Sequence, residues 1–153
     1  MDFRCVSFSL DEEQFGLHLD DVVHIIRFEQ VLPVPGAPAM VEGILNLRGE
    51  VVPIINLRTL LGMREAAAGR RQRVIIIRRE ARILGLLVDS VREIKVNEAD
   101  YQPGGGRPGL ADGAVLGVVK TDEENLTVLD IFLLLAERAS AAPAAPAAPG
   151  ERR

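Results

Sequence analysis

The sequence predicts a mainly β fold: two similar small β-subdomains, each too small to bury much alone, sharing one core. Three observations lead there. Apolar–polar alternations of period two recur in short runs, polar or glycine-bearing turns separate them, and the chain maps onto itself at two fixed offsets. At 153 residues, with 48% apolar and 26% charged side chains, there is room for one ordinary domain or two small ones. A chain of this length can bury about two-thirds of the surface its unfolded form exposes, enough for a core.

The elements follow in order. Val6, Phe8 and Leu10 alternate with Ser7 and Ser9 as a half-buried strand. Asp11 to Gln14 is a polar turn, and Phe15, Leu17 and Leu19 resume the alternation, which makes a hairpin. Asp20-Asp21 and Asp89-Ser90 each read as a helix N-cap before a short apolar turn. Gly43 to Leu47 and Val51 to Leu57 flank the tight reversal Arg48-Gly49-Glu50, and the flanking strands are expected to bury Ile44, Val52 and Ile54. Val74 to Ile77 and Ile83 to Val88 flank Arg78 to Arg82; Val115 to Val119 and Leu126 to Leu129 flank Thr121 to Asn125. Short helices are expected at Arg58 to Leu61, closed by Gly62, and at Asp130 to Glu137.

The duplication is the most specific signal. At an offset of 69, Val6, Phe8, Gly16, Asp20, Val22 and Ile25 fall on Ile75, Ile77, Gly85, Asp89, Val91 and Ile94. At an offset of 74, Gly43, Ile44, Val52, Ile54, Asn56 and Leu60 fall on Gly117, Val118, Leu126, Val128, Asp130 and Leu134. Shared strand alternation explains the valines and isoleucines but not the matched glycines and aspartates together. Repeat units of about 6–61 and 75–135 are expected, with neither match needing an internal gap.

After Arg138 the composition changes. Ala139 to Gly150 reads A-S-A-A-P-A-A-P-A-A-P-G, with Pro143, Pro146 and Pro149 at a period of three, so residues 139–153 are expected to form a mobile, extended tail beyond a folded body of residues 1–138.

Much chemistry is excluded. Net charge is −4, without the basic excess that drives nucleic-acid binding. Six arginines lie between Arg70 and Arg82, but no stacking rings accompany them, so the cluster reads as the solvated rim of a hairpin. Nucleophile, zinc-protease and phosphate-loop patterns are missing; Gly104-Gly105-Gly106 runs into Arg107-Pro108 and is a loop. The two histidines, His18 and His24, with Asp20 and Asp21 match no metal-ligand spacing. Neither a catalytic site, a metal nor a cofactor is expected. The single Cys5 excludes an intrachain disulfide and fits a reducing compartment. No secretory signal opens the chain, and apolar runs such as Ile131 to Ala136 stop far short of the ~20 residues of a membrane span. A cytoplasmic protein without direct membrane insertion is the expectation.

The block Gly43 to Arg58, G-I-L-N-L-R-G-E-V-V-P-I-I-N-L-R, closely resembles the N-L-R-G-x-x-x-P-I-[IV]-[DN]-L-R signature of the chemotaxis coupling proteins, the CheW-like domains. Phe8 to Leu19 is similar to the family's opening hairpin, Pro38 to Gly43 to its P-x-x-[IV]-x-G approach, and Leu84 to Val91 to its G-[IL]-x-V-D-x-V strand. The likeness covers residues 3 to 138. It implies two small SH3-like β-barrels around a shared core. It also implies a non-catalytic adaptor between the cytoplasmic tip of a chemoreceptor and the regulatory domain of a CheA-type histidine kinase, in cytoplasmic chemotaxis or motility signalling. Where the family has an acidic residue in V-x-E-I, this chain has His24, and the offset-69 position holds Glu93.

An adaptor needs exposed apolar patches with charged anchors. Arg48, between Asn46 and Gly49, is the first choice of anchor, because a guanidinium presents five donors in a rigid fork. His24, Glu42 and Arg58 are weaker candidates, since each can be a solvated charge. Two other readings stay open at this point: a divergent scaffold of the same fold that has lost one partner surface, and a small-ligand sensor using the cleft between barrels.

Overall fold

The period-two runs become strands because each has one face to bury. The computed structural model describes residues 3–29, 31–64, 72–106, 110, 113–122 and 125–141. Eleven strands are seen among them: β1 (Phe3–Leu10), β2 (Glu13–His18), β3 (Val22–Arg27), β4 (Val41–Leu47), β5 (Glu50–Asn56), β6 (Arg73–Arg79), β7 (Arg82–Val88), β8 (Ser90–Val96), β9 (Tyr101–Pro103), β10 (Val115–Lys120) and β11 (Asn125–Leu129). Helix α1 (Leu57–Leu60) follows β5 and α2 (Ile131–Ala141) follows β11, each with an N-terminal side-chain cap: Asn56 Oδ1 accepts from Thr59 N–H, and Asp130 Oδ1 from Leu133 N–H. The protein is mainly β, in two sheets with a few short helices, as the sequence predicts. None of the described helices is long and apolar enough to cross a membrane.

Sheet A has the order β8-β1-β2-β11-β10-β9 and sheet B the order β3-β6-β7-β5-β4. The chain starts in A, crosses to B after β2, completes all of B through β7, and returns to A at β8. Offset 69 sets β1 and β2 on β6 and β7, and offset 74 sets β4 and β5 on β10 and β11. In those terms β8-β1-β2-β11-β10 and β3-β6-β7-β5-β4 are one order written twice. The hairpins β4–β5 and β10–β11 even carry a bulge at the same place, between Val41 and Gly43 and between Val115 and Gly117. The sheets do not follow the 6–61 and 75–135 units, however. Each sheet takes its central hairpin from one unit and its flanking strands from the other.

The matched glycines have a steric reason. At Gly43 a Cβ would sit 2.3 Å from the Leu32 carbonyl oxygen, where Leu32 bridges to Ile44. At Gly117 it would meet the Tyr101 ring at 2.3 Å, where β9 pairs with β10. Both sheets need a backbone approach that no side chain allows.

Four expectations change. Asp20-Asp21 and Asp89-Ser90 cap no α-helix: Leu19–Asp21 is a single 3₁₀ turn that runs into β3, and Ser90 opens β8. β-branched Val22, Ile25 and Ile26 find strand partners, and tertiary pairing overrides the cap signal. Offset 69 does not continue without a gap, since β3 has a bulge between Val22 and His24. Ile25 pairs with Ile75, and Glu93 pairs with Val6, the residue matched to Ile75; Ile25, not His24, therefore occupies the register position of Glu93. Of the hairpin residues expected inside, Val52 and Ile54 are fully buried but Ile44 only half. Finally, α2 runs to Ala141, three residues past the compositional boundary, because alanine extends a helix until the segment before Pro143. Residues 142–153, most of the expected tail, lie outside the described residues, as do Arg70, Arg71 and Arg107.

The core sits between the sheets. Val6, Phe8, Phe15 and Leu129 of sheet A pack with Ile55, Ile75, Ile77 and Leu86 of sheet B, and α1 and α2 add Leu57, Leu60, Phe132 and Leu134. Each sheet also has a smaller cluster of its own, around Cys5, Val119 and Val128 in A and around Val52, Val74 and Ile76 in B. Two polar clamps cross the shared layer. Arg58, 1% exposed, reaches from α1 to Asp11 Oδ1 at 2.8 Å and Oδ2 at 3.0 Å, and to Asp89 Oδ2 at 2.6 Å. Its pKa is raised, first by the Asp11 hydrogen bond, against the opposing effect of burial, and then by Asp89. Arg79 bonds Asp21 at 3.0 Å and Asp130 at 3.1 Å, and Arg79 and Arg82 stack over Phe132. These described members of the arginine run are thus engaged rather than a free solvated rim.

Three outcomes follow from this packing. Gly43→Ala should cost about 1–3 kcal/mol by overpacking against Leu32, with exchange protection lost at the Leu32 and Ile44 amides. Arg58→Ala leaves Asp89 inside without its guanidinium and should cost about 3–5 kcal/mol, a melting temperature lower by roughly 10 °C for a chain of this size. Burial pushes the Cys5 thiol from 9.0 up to about 11, so the folded state resists thiolate formation that the unfolded chain allows. Stability should accordingly be full below pH 9 and fall as pH rises toward about 11, by less in Cys5→Ala; denaturant melts across that range measure it.

Candidate functional site

The β4–β5 hairpin reverses on two residues with positive φ, Arg48 at 53° and Gly49 at 85°. That is the mirror-image turn whose twist matches paired strands, and it favours asparagine or glycine at the first place. Asn46 closes it, its Oδ1 accepting from Gly49 N–H at 2.9 Å. Asn46 and Gly49 therefore build the turn, and Arg48 is what the turn presents. The Arg48 side chain is exposed and makes no hydrogen bond or ion pair to a described residue. Holding a residue that carries a Cβ in this region costs about 1 kcal/mol that glycine would not. One strut supports the hairpin: Glu50 Oε1 meets Arg78 Nη2 at 2.8 Å.

The other three candidates are placed differently. Arg58 is interior and clamps the sheets, which removes it from the surface; its solvated-charge reading is corrected by its burial. Glu42 is the bulge residue of β4, half-buried, and its Oε1 accepts from Asn56 Nδ2 at 3.2 Å, steadying the residue that caps α1. His24 is half-buried beside the β3 bulge and pairs with Ile76.

Sequence reasoning missed the exposed apolar side chains of sheet B and of the loop before β4. Among the described residues, every large apolar group exposed by a third or more lies between positions 23 and 51: Val23 at 43%, Ile25 at 44%, Leu32 at 65%, Val34 at 36% and Val51 at 58%. Strand parity explains why. On β5, Ile55 is buried between the sheets, and Pro53 and Val51, two and four residues earlier, carry that same face outward. Pro53 pairs with Ile44, and Ile44 bridges to Leu32, so the face continues across the hairpin. Ile25 lies opposite Ile75 at the β3 edge of the same sheet face. Sheet A is polar at the matching register positions: Glu93 for Ile25, Gln102 for Leu32 and Asn125 for Val51, all exposed. One signal in the sequence pointed here: Val31 to Pro35 is a loop without a polar side chain.

A cavity of about 180 Å³ opens beside the 3₁₀ turn Glu98–Asp100, lined by Asn97, Asp100 and Thr121 over Val96 and Val119. It lies at the end of sheet A and not in a cleft between the sheets. Among the described residues no His, Cys, Asp and Glu side chains cluster as a metal site.

Comparison with known proteins agrees with this architecture. Residues 4–139 match the CheW-like domain family. The chain is 37% identical to the chemotaxis protein CheW of Treponema pallidum, over 89% of this chain and 84% of that protein. It is 30% identical to the chemotaxis protein CheW of Thermotoga maritima, over 89% of each, and 29% identical to protein FrzA of Myxococcus xanthus, over 88% and 84%. The crystal structure of the scaffolding protein TtCheW from Thermoanaerobacter tengcongensis matches with a TM-score of 0.76 at 33% identity, over 88% of this chain and 92% of that one. Two sheets on one shared core, an arginine held out on a two-residue turn and an apolar face beside it thus occur in a chain that belongs to the CheW-like domain family, one of chemotaxis scaffold proteins and not of enzymes.

Proposed function

We propose that this chain is a cytoplasmic adaptor that couples the tip of a chemoreceptor to the regulatory domain of a CheA-type histidine kinase. The observation that carries this reading is the one-sided apolar face of sheet B with Arg48 at its rim. Val51, Leu32 and Ile25 supply area that a folded protein otherwise keeps from water, and a rim of polar groups sets the register of what covers them. Arg27, exposed and next after Ile25 on the same side of β3, adds a second guanidinium. The face therefore suits a partner with an apolar ridge flanked by carboxylates. The strained turn supports the same reading, since an arginine at φ 53° weakens the fold slightly and gains nothing inside it.

Arg48 separates stability from binding. Arg48→Gly should leave the melting temperature unchanged or slightly raised, because it relieves the positive φ and removes no described contact. The same variant should weaken binding to a receptor-tip or kinase-regulatory fragment by about tenfold or more, about 1.4 kcal/mol. Calorimetric binding and thermal melts on one preparation give both numbers. Unchanged binding to both fragments would refute the assignment of Arg48.

A further inference from the structure

The first hairpin, β1–β2, is the centre of sheet A although it comes from the opposite end of the chain to its neighbours. β1 pairs with β8 over seven residues, from Phe3 with Val96 to Ser9 with Ser90, and β2 pairs in parallel with β11 at Phe15 and Gly16. Val6, Phe8, Leu10, Phe15 and Leu17 bury themselves in the shared core, and Cys5 in the cluster of sheet A. All of this is non-covalent. The chain joins the hairpin to the rest of the protein only through Leu19–Asp21, a 3₁₀ turn with no buried residue and no side-chain cap at its start.

His18 on one side of the turn (φ −63°, ψ 135°) and Val22 on the other (φ −88°, ψ 126°) are already extended, so three residues alone separate β2 from a continuous strand into β3. Among the described residues, the ion pair of Asp21 with Arg79 at 3.0 Å latches the turn, and half-buried Leu19 packs against the shared core. Sheet B also shows that such a slot does not need a hairpin from its own unit: β6–β7 sits between β3 and β5 as β1–β2 sits between β8 and β11.

We propose that the β1–β2 hairpin is exchangeable, and that two copies of this chain trade it through Leu19–Asp21 to form a closed two-fold dimer. In that dimer each sheet A is completed by the hairpin of the second copy. Every pairing and core contact of the hairpin is kept, and only the hinge and its latch change, which is the condition under which domain exchange has a low cost. Each dimer carries two copies of the exposed face on sheet B. The proposal does not depend on what that face binds.

Ser9 and Ser90 report the exchange. They are direct partners across β1 and β8, their hydroxyl oxygens 2.6 Å apart, close enough for a disulfide between cysteines placed there. In a Cys5→Ala background, Ser9→Cys chains and Ser90→Cys chains are mixed, unfolded, refolded together at high concentration and oxidised. A chain carrying both substitutions reads the same contact within one molecule and sets the reference yield. The expected product is a disulfide between the two kinds of chain, several-fold more abundant than either homodisulfide and than in a mixture never unfolded. Asp21→Ala, which releases the latch, should raise that yield further. A mixed disulfide no more abundant than the homodisulfides would overturn the proposal, and an unchanged yield in Asp21→Ala would overturn the latch.

Discussion

Everything in this fold depends on one apolar layer that neither sheet could bury alone. The strands of each sheet put one face into that layer and the other into a small cluster of their own, and the clusters hold only a handful of side chains each. A half of this size cannot reach the burial that stabilises a domain. The chain answers by crossing between sheets twice. The N-terminal hairpin lies in A, B is formed by the next continuous run of chain, and the C-terminal strands return to flank the hairpin.

The crossings are where polar chemistry enters. Arg58 joins Asp11, at the first hairpin's turn, to Asp89, the link from β7 back to β8. Arg79 joins Asp21, in the link from β2 to β3, to Asp130, at the start of α2. Each clamp thus ties one crossing to the helix or hairpin that covers it. The two are unequal: the Arg58 side chain is 2% exposed and Arg79 38%. Desolvation makes the buried guanidinium dependent on its carboxylates, while water can replace much of what the outer one loses. The tighter clamp is the structural one.

Likeness of strand order does not make the two sheets equal on the outside. Register places Ile25, Leu32 and Val51 where sheet A has Glu93, Gln102 and Asn125, so one face asks to be covered and the other is content in water. For a scaffold this asymmetry is useful, because two related halves then cannot compete for one partner. Arg48 belongs to the sticky side, on a turn whose geometry is set by Gly49 and Asn46 and braced by Glu50 and Arg78.

The sequence by itself determined the mainly β class, the hairpins at 11–14, 48–50 and 78–82, the places of the two short helices and the matched glycines. All of these are local signals: alternation of period two, turn chemistry, and self-similarity along the chain. It also singled out Arg48, because a charged residue beside a turn glycine in a recognisable block stands out in one dimension. Only the tertiary structure decided that β3 and β8 are strands, that Arg58 is interior, and that Ile25 rather than His24 matches Glu93. It alone exposed Val51 and Leu32. The physical reason is the same in each case. Whether a side chain is buried, paired or bare depends on which distant strand lies opposite it, and a single inserted bulge residue or a crossing between sheets changes that neighbour without altering the local pattern.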